Sequence, residues 1–197
     1  MRTFRPFKPY RDRPLCFLDV EGTGTDFSIH EVTEVAFRHT TKGPKCIQIS
    51  PLHLERAQPE ALKISGYNSS DWADAPTFKK ALPDILEYVE DATIIGHNVQ
   101  GYDVPILQAE FDRLGLDHGY LFRDVVDTMA LARVFLVPLG LNRLGLEACM
   151  KFIGEEYEDA HSAYMDTLFC EKLYYHIVKN LKWHGKQDGK LIQEPLF

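Results

Sequence analysis

The chain has 197 residues, 45% of them hydrophobic and 26% charged, the length and make-up of one globular domain able to bury a core. Its 22 lysines and arginines are outnumbered by 29 aspartates and glutamates, for a formal net charge of −7. That balance argues against a high-affinity protein that reads DNA sequence, which normally advertises a basic surface, and leaves room for an enzyme that gathers acids in its site.

No stretch approaches the ~18 uninterrupted apolar residues of a membrane span, so no membrane association is expected. Residues 1–13 carry five basic residues without an apolar run behind them, which reads as a basic arm rather than a secretory signal. Cys16, Cys46, Cys149 and Cys170 show no CxxC spacing, and buried, reduced thiols in a cytoplasmic protein are expected. "PLCFLDV" (14–20) reads as a central strand. "HEVTEVAFRH" (30–39) is rich in strand formers, "TTKGP" is a turn, and "KCIQIS" (45–50) makes a third strand, so an antiparallel meander is predicted. "APTFKKALPDILEYVED" (75–91) has helical spacing at Phe78, Leu82, Ile85, Leu86 and Val89. "ATIIGH" (92–97) is a short buried strand. "YDVPILQAEFDRLG" (102–115) is a helix with Pro105 in its first turn and Gly115 at its stop. "FRDVVDT" (122–128) is a strand, followed by helical "MALARVF" (129–135), a helix over 141–154, and a long helix over 159–180 with Met165, Phe169, Leu173 and Ile177 four apart. The tail, 182–197, is polar and aperiodic until its end. Strands first and then alternating helices and strands define an α/β domain, a mixed sheet covered on both faces.

The stretch "LCFLDVEGTG" starts as a buried run and then places Asp19 and Glu21 inside it. Residues i and i+2 of a strand share a face, so the two carboxylates project together and repel unless a cation lies between them or the strand end reaches water. "IIGHNVQGYD" puts His97, Asn98 and Asp103 where a strand exits into a helix, a place where an Asp also serves as a cap. Asp127 reads as structural or as a helix cap. "AHSAYMD" puts His161 and Asp166 about 500° of helical rotation apart, so they do not stack on one helical face, and His161 alone could be a surface histidine. Together, three aspartates, a glutamate and a histidine at strand and helix ends are a donor set for Mg²⁺ or Mn²⁺, not zinc. Two such ions suit a phosphoryl displacement, with a histidine to take a proton from water.

In this order and spacing the residues resemble the DEDDh 3′–5′ exonucleases, the family that includes bacterial proofreading epsilon subunits. Asp-x-Glu is "DVE" (Asp19, Glu21), His-Asn-x-x-x-Asp is "HNVQGYD" (His97, Asn98, Asp103), and His-x-Ala-x-x-Asp is "HSAYMD" (His161, Ala163, Asp166). The resemblance covers roughly residues 14–179. It implies a ribonuclease H-like three-layer fold, with a mixed central sheet of about five strands and helices on both faces. It implies two Mg²⁺ or Mn²⁺ ions on Asp19, Glu21, Asp103 and Asp166, with His161 as general base. It also implies contacts from Gly22, Thr23, Gly24, His97, Asn98 and Tyr102 to a terminal nucleotide. Gly22 stands where the family more often has threonine, and Tyr102 where phenylalanine is commoner.

The substrate implied is the 3′ end of a single strand, DNA for preference and RNA or short oligoribonucleotides as the alternative. A DNA polymerase is an implied partner, and a non-catalytic binding subunit on the same fold is the competing class. The final residues, "QEPLF", resemble Gln-x-x-Leu-Phe peptides that bind bacterial sliding clamps, through Gln193, Leu196 and Phe197, although a short tail folded back on its own domain would read the same. The expected organisation is an arm (1–13), an exonuclease domain (14–181) and a tail (182–197).

Overall fold

The computed structural model describes residues 12–157, 162–180, 186–187 and 190–191. The expected arm up to residue 11, His161, and Gln193, Leu196 and Phe197 lie outside the described residues.

The predicted meander forms as β1 (Leu15–Gly22), β2 (Val32–His39) and β3 (Gly43–Gln48). Both pairings are antiparallel, with Asp19 opposite Ala36 and Glu21 opposite Glu34. Two parallel strands, β4 (Thr93–Gly96) and β5 (Val125–Asp127), complete a five-stranded sheet in the order β3-β2-β1-β4-β5. The mixed sheet of about five strands is therefore present. Arg13, beside the start of β1, is buried and paired with Asp124 at 3.1 Å, ahead of β5.

Alternation along β1 divides its side chains between two cores. Cys16, Leu18 and Val20 join Phe78, Ala81 and Ile85 of α2 (Phe78–Val89) and Ile106 and Leu107 of α3 (Asp103–Arg113). Phe17 turns the other way, onto Ile95, Cys170 and Tyr174. Cys170 and Tyr174 belong to α6 (Ala163–Asn180), which shares a third cluster with α4 (Thr128–Phe135) and α5 (Leu146–Phe152). Helices thus cover both faces. Each fully buried Leu or Ile in these clusters contributes about 1.5–3 kcal/mol relative to exposure.

Several boundaries differ from the sequence expectation. The helix expected over 141–154 is confined to α5: Leu141 is buried ahead of it, and the chain is still extended at Gly145, the residue that precedes the first turn. The expected strand over 122–128 contracts to three residues at the sheet edge. A short helix, α1 (Pro59–Ile64), had no periodic signal, and none of its residues is buried. All four cysteines are free, but Cys46 is exposed on β3, the outer strand, rather than buried. Among the described residues no helix is long and apolar enough to cross a membrane.

Candidate active site

The site forms where β1 outruns its parallel neighbour. β1 pairs with β4 only over Leu15–Phe17, and β4 ends at Gly96. Beyond that point the edge of β1 needs another partner for its backbone donors. Asp103 supplies it: its Oδ1 accepts the Val20 N–H at 2.8 Å, between the two acids of β1. Asp103 is buried, at the first position of α3.

Asp19 and Glu21 lie on the α6 side of the sheet, and Asp166 sits in the first turn of α6. One ligand atom from each of the three carboxylates falls within 4.8 Å of the others. Charges about 4 Å apart repel by roughly 1 kcal/mol in bulk water and by several in a less polar cleft. Loss of water raises the Asp19 carboxyl well above the usual carboxylate range, and Asp103, Glu21, Asp166 and Glu34 push the same way. Glu21 is pushed up to about 8, by burial first and then by Asp166 and Glu34. Burial also raises Asp103, against the backbone N–H groups that favour its charged form. These half-buried, all-oxygen donors fit a hard divalent cation, which would remove the repulsion.

Sequence reading missed two neighbours. Glu34 stands directly opposite Glu21 on β2, an unfavourable like-charge pair, and burial raises its carboxyl. The only available signal was the strand register. Tyr157 donates its hydroxyl to Asp166 Oδ1 at 2.8 Å, and no sequence pattern marks it.

The turn after Glu21 is fastened from several sides. The β1–β2 register shifts between Glu21 and Gly22. A Cβ on Gly22 would meet Ile106 Cδ1 at 2.6 Å, the Tyr102 hydroxyl at 2.7 Å and the Glu31 carbonyl at 3.0 Å. That crowding accounts for a glycine beside a tyrosine here. The Tyr102 hydroxyl donates to the Gly24 carbonyl at 3.2 Å, and its ring meets Phe27 edge-on, 5.7 Å between centroids. Gly24, at φ +157, lies against the His30 ring, where a Cβ would come within 2.5 Å. Thr23 is buried: its N–H donates to the Glu31 carbonyl and its Oγ1 accepts the Glu31 N–H, both at 2.8 Å.

His97 lies below the next turn. Its Nε2 contacts the Leu144 carbonyl at 2.7 Å and its Nδ1 the Thr128 hydroxyl at 3.0 Å, and burial lowers its pKa. Asn98 is exposed in the left-handed region, φ 62. Asp127 caps α4 through Met129 N–H at 2.9 Å, as its position predicted, and its Oδ1 also accepts the Asn98 N–H at 3.0 Å. The structure therefore brings Asp19, Glu21 and Asp166 into one cluster, with Asp103 at the open edge of β1.

Fold and site together define an α/β protein with a mixed five-stranded sheet, helices on both faces and an acidic cluster toward the carboxyl end of its central strand. Residues 16–174 match the exonuclease family RNase_T, and the chain belongs to that family. It is 30% identical over 118 residues to the DNA polymerase III subunit epsilon of Buchnera aphidicola, covering 58% of this chain and 49% of the relative. The epsilon subunit of Aquifex aeolicus is 27% identical over 173 residues, covering 86% of this chain and 83% of the relative. Escherichia coli exonuclease I in complex with a dT13 oligonucleotide shares the fold, with TM-score 0.72 and 20% identity, over 86% of this chain and 41% of that one. The chain spans about half the length of the Buchnera relative.

Proposed function

We propose that the chain is a divalent-metal-dependent 3′–5′ exonuclease that releases nucleoside 5′-monophosphates from single-stranded DNA 3′ ends, in proofreading or trimming. The observation that carries this reading is the convergence of Asp19, Glu21 and Asp166 within 4.8 Å, in a chain of an exonuclease family. The likeness to polymerase III epsilon subunits and to exonuclease I bound to dT13 supports DNA over RNA. The catalytic domain is residues 14–181, flanked by the arm and the tail, in a cytoplasmic protein.

Asp19, Glu21 and Asp166 would hold the cations, with Asp103, at the edge of β1, supporting directly or through water. Two Mg²⁺ or Mn²⁺ ions would supply positive charge to the attacking and leaving oxygens. An imidazole nitrogen of His161 takes the proton of the attacking water as its oxygen bonds to phosphorus and the bond to the 3′ oxygen breaks. The leaving 3′ oxygen takes a proton from solvent, and the products are a nucleoside 5′-monophosphate and a strand with a free 3′ hydroxyl. Gly22, Thr23 and Gly24, with Asn98 and Tyr102, frame the terminal nucleotide, and His97 supports the second turn from below. A polymerase is the natural partner. The tail would add a sliding clamp through Gln193, Leu196 and Phe197, so deleting Gln193–Phe197 should abolish clamp binding in a pull-down while short strands are still digested. Equal capture of the truncated protein would refute the tail's role.

The test is digestion of matched DNA and RNA single strands with Mg²⁺, by wild type and by Asp19→Ala. Shortening from the 3′ end, faster on DNA and lost in the variant, is expected. Faster digestion of RNA would move the substrate to RNA. No shortening by either protein would make the chain a non-catalytic binding subunit.

A further inference from the structure

Asp166 and Phe169 are three residues apart on α6 and so lie on one side of the helix. Tyr157 spans both. Its ring packs on Phe169 with centroids 4.5 Å apart and planes at 43°, and its hydroxyl reaches Asp166 Oδ1 at 2.8 Å. The ring is half-buried against the cluster that contains Met150, Phe169 and Leu173. Packing therefore sets where the hydroxyl points, and the hydroxyl sets the carboxylate. Asp166 also has its backbone fixed, its N–H donating to the Ser162 carbonyl at 3.0 Å in the first turn of the helix.

We infer that Tyr157 is a positioning residue for the metal site: its hydroxyl fixes the rotation of the Asp166 carboxylate, so that the remaining lone pairs face Asp19 and Glu21. The inference rests on the proposed reading of the three acids as metal ligands. A free carboxylate turns about its terminal torsion, which is broad and roughly two-fold, and repulsion from the other two acids favours turning away. A donor on one oxygen removes that freedom before the cation arrives. Outer partners of this kind, when mutated, typically cost ~10- to 100-fold in metal affinity or activity. None of the three sequence motifs includes Tyr157, nine residues ahead of Asp166.

The test compares wild type with Tyr157→Phe, which keeps the ring on Phe169 and removes only the hydroxyl. Mn²⁺ binding is measured by calorimetry without nucleic acid, and the Mg²⁺ dependence of strand shortening is measured in parallel. Tyr157→Phe should weaken Mn²⁺ binding by ~10- to 100-fold and raise the Mg²⁺ concentration for half-maximal rate by a similar factor. Its rate at saturating Mg²⁺ should stay within a few fold of wild type. Unchanged or tighter Mn²⁺ binding would overturn the inference, as would a lower saturated rate at an unchanged Mg²⁺ midpoint. Asp166→Asn separates the two levels of the argument. If Asp166→Asn binds Mn²⁺ like wild type, the metal site itself is misread. If it loses Mn²⁺ while Tyr157→Phe does not, only the positioning role fails.

Discussion

The two faces of β1 answer to different demands. Toward α2 and α3 the strand presents Cys16, Leu18 and Val20, all buried in one apolar cluster. Toward α6 it presents Phe17, packed as tightly, and then Asp19 and Glu21, which crowd Asp166 and Glu34. Successive residues of one strand thus serve stability and chemistry in alternation, and the strand can do both because its parallel partner stops short. The apolar face holds the acidic one in place, at some cost to the folded state.

Changing one residue on each face separates the two roles. Asp19→Asn should cut exonuclease turnover roughly a thousandfold or more, the loss of several kcal/mol of charge stabilisation. In the metal-free protein the same change should hold or raise the melting temperature, because it removes a repelling acid. Leu18→Ala should do the reverse, losing about 2–5 kcal/mol of stability while the remaining folded protein turns over normally. Denaturant unfolding and single-strand digestion on both variants check this. A large stability loss in Asp19→Asn would dissolve the distinction.

Next in size is His161→Ala, expected to slow turnover by roughly two orders of magnitude with Mn²⁺ binding retained. Single-turnover digestion and calorimetry check it, and an unchanged rate would remove His161 from the reaction.

The smallest effect sharpens the cost of the acidic face. Asp19 and Glu21 have folded-state pKa values raised by burial and then by neighbouring acids, Asp166 and Glu34 among them, so at these two groups the folded chain binds more protons than the unfolded one. The stability these two groups contribute to the metal-free protein is fully present below the ordinary carboxylate range. That contribution is lost as pH rises through the folded values, near 8 for Glu21. A divalent cation opposes that loss. Mg²⁺ should therefore raise the melting temperature, relative to EDTA, by more at about pH 8 than at about pH 5. A larger rise at the lower pH would contradict the account.

Much of this molecule was legible in the sequence, and the reasons are local. The apolar run ending in Asp19 and Glu21 is a strand whichever partner it finds, and i, i+2 spacing puts both acids on one face. The helical spacing of Phe78, Ile85 and Val89 likewise carries through to the core. What could not be read depends on register and on contacts across long separations. Glu34 opposes Glu21 through the β1–β2 register, which runs unbroken from the Cys16–His39 pair to this one and shifts only at Gly22. Asp103 serves the Val20 N–H only because β4 ends early, 83 residues of sequence separation closed by the fold. The glycine at residue 22 read as a departure from a motif until Ile106, Tyr102 and Glu31 were seen around it. Tyr157 belongs to no periodic pattern, and its reach to Asp166 follows from ring packing on Phe169.

The most direct test of the central claim is a crystal structure grown with Mn²⁺ and a nucleoside monophosphate, read by anomalous scattering. The account predicts manganese peaks bounded by Asp19, Glu21 and Asp166, with the nucleotide phosphate against them and its sugar at the Gly22–Gly24 turn. Manganese held elsewhere, or a nucleotide bound with no metal among the three carboxylates, would contradict it.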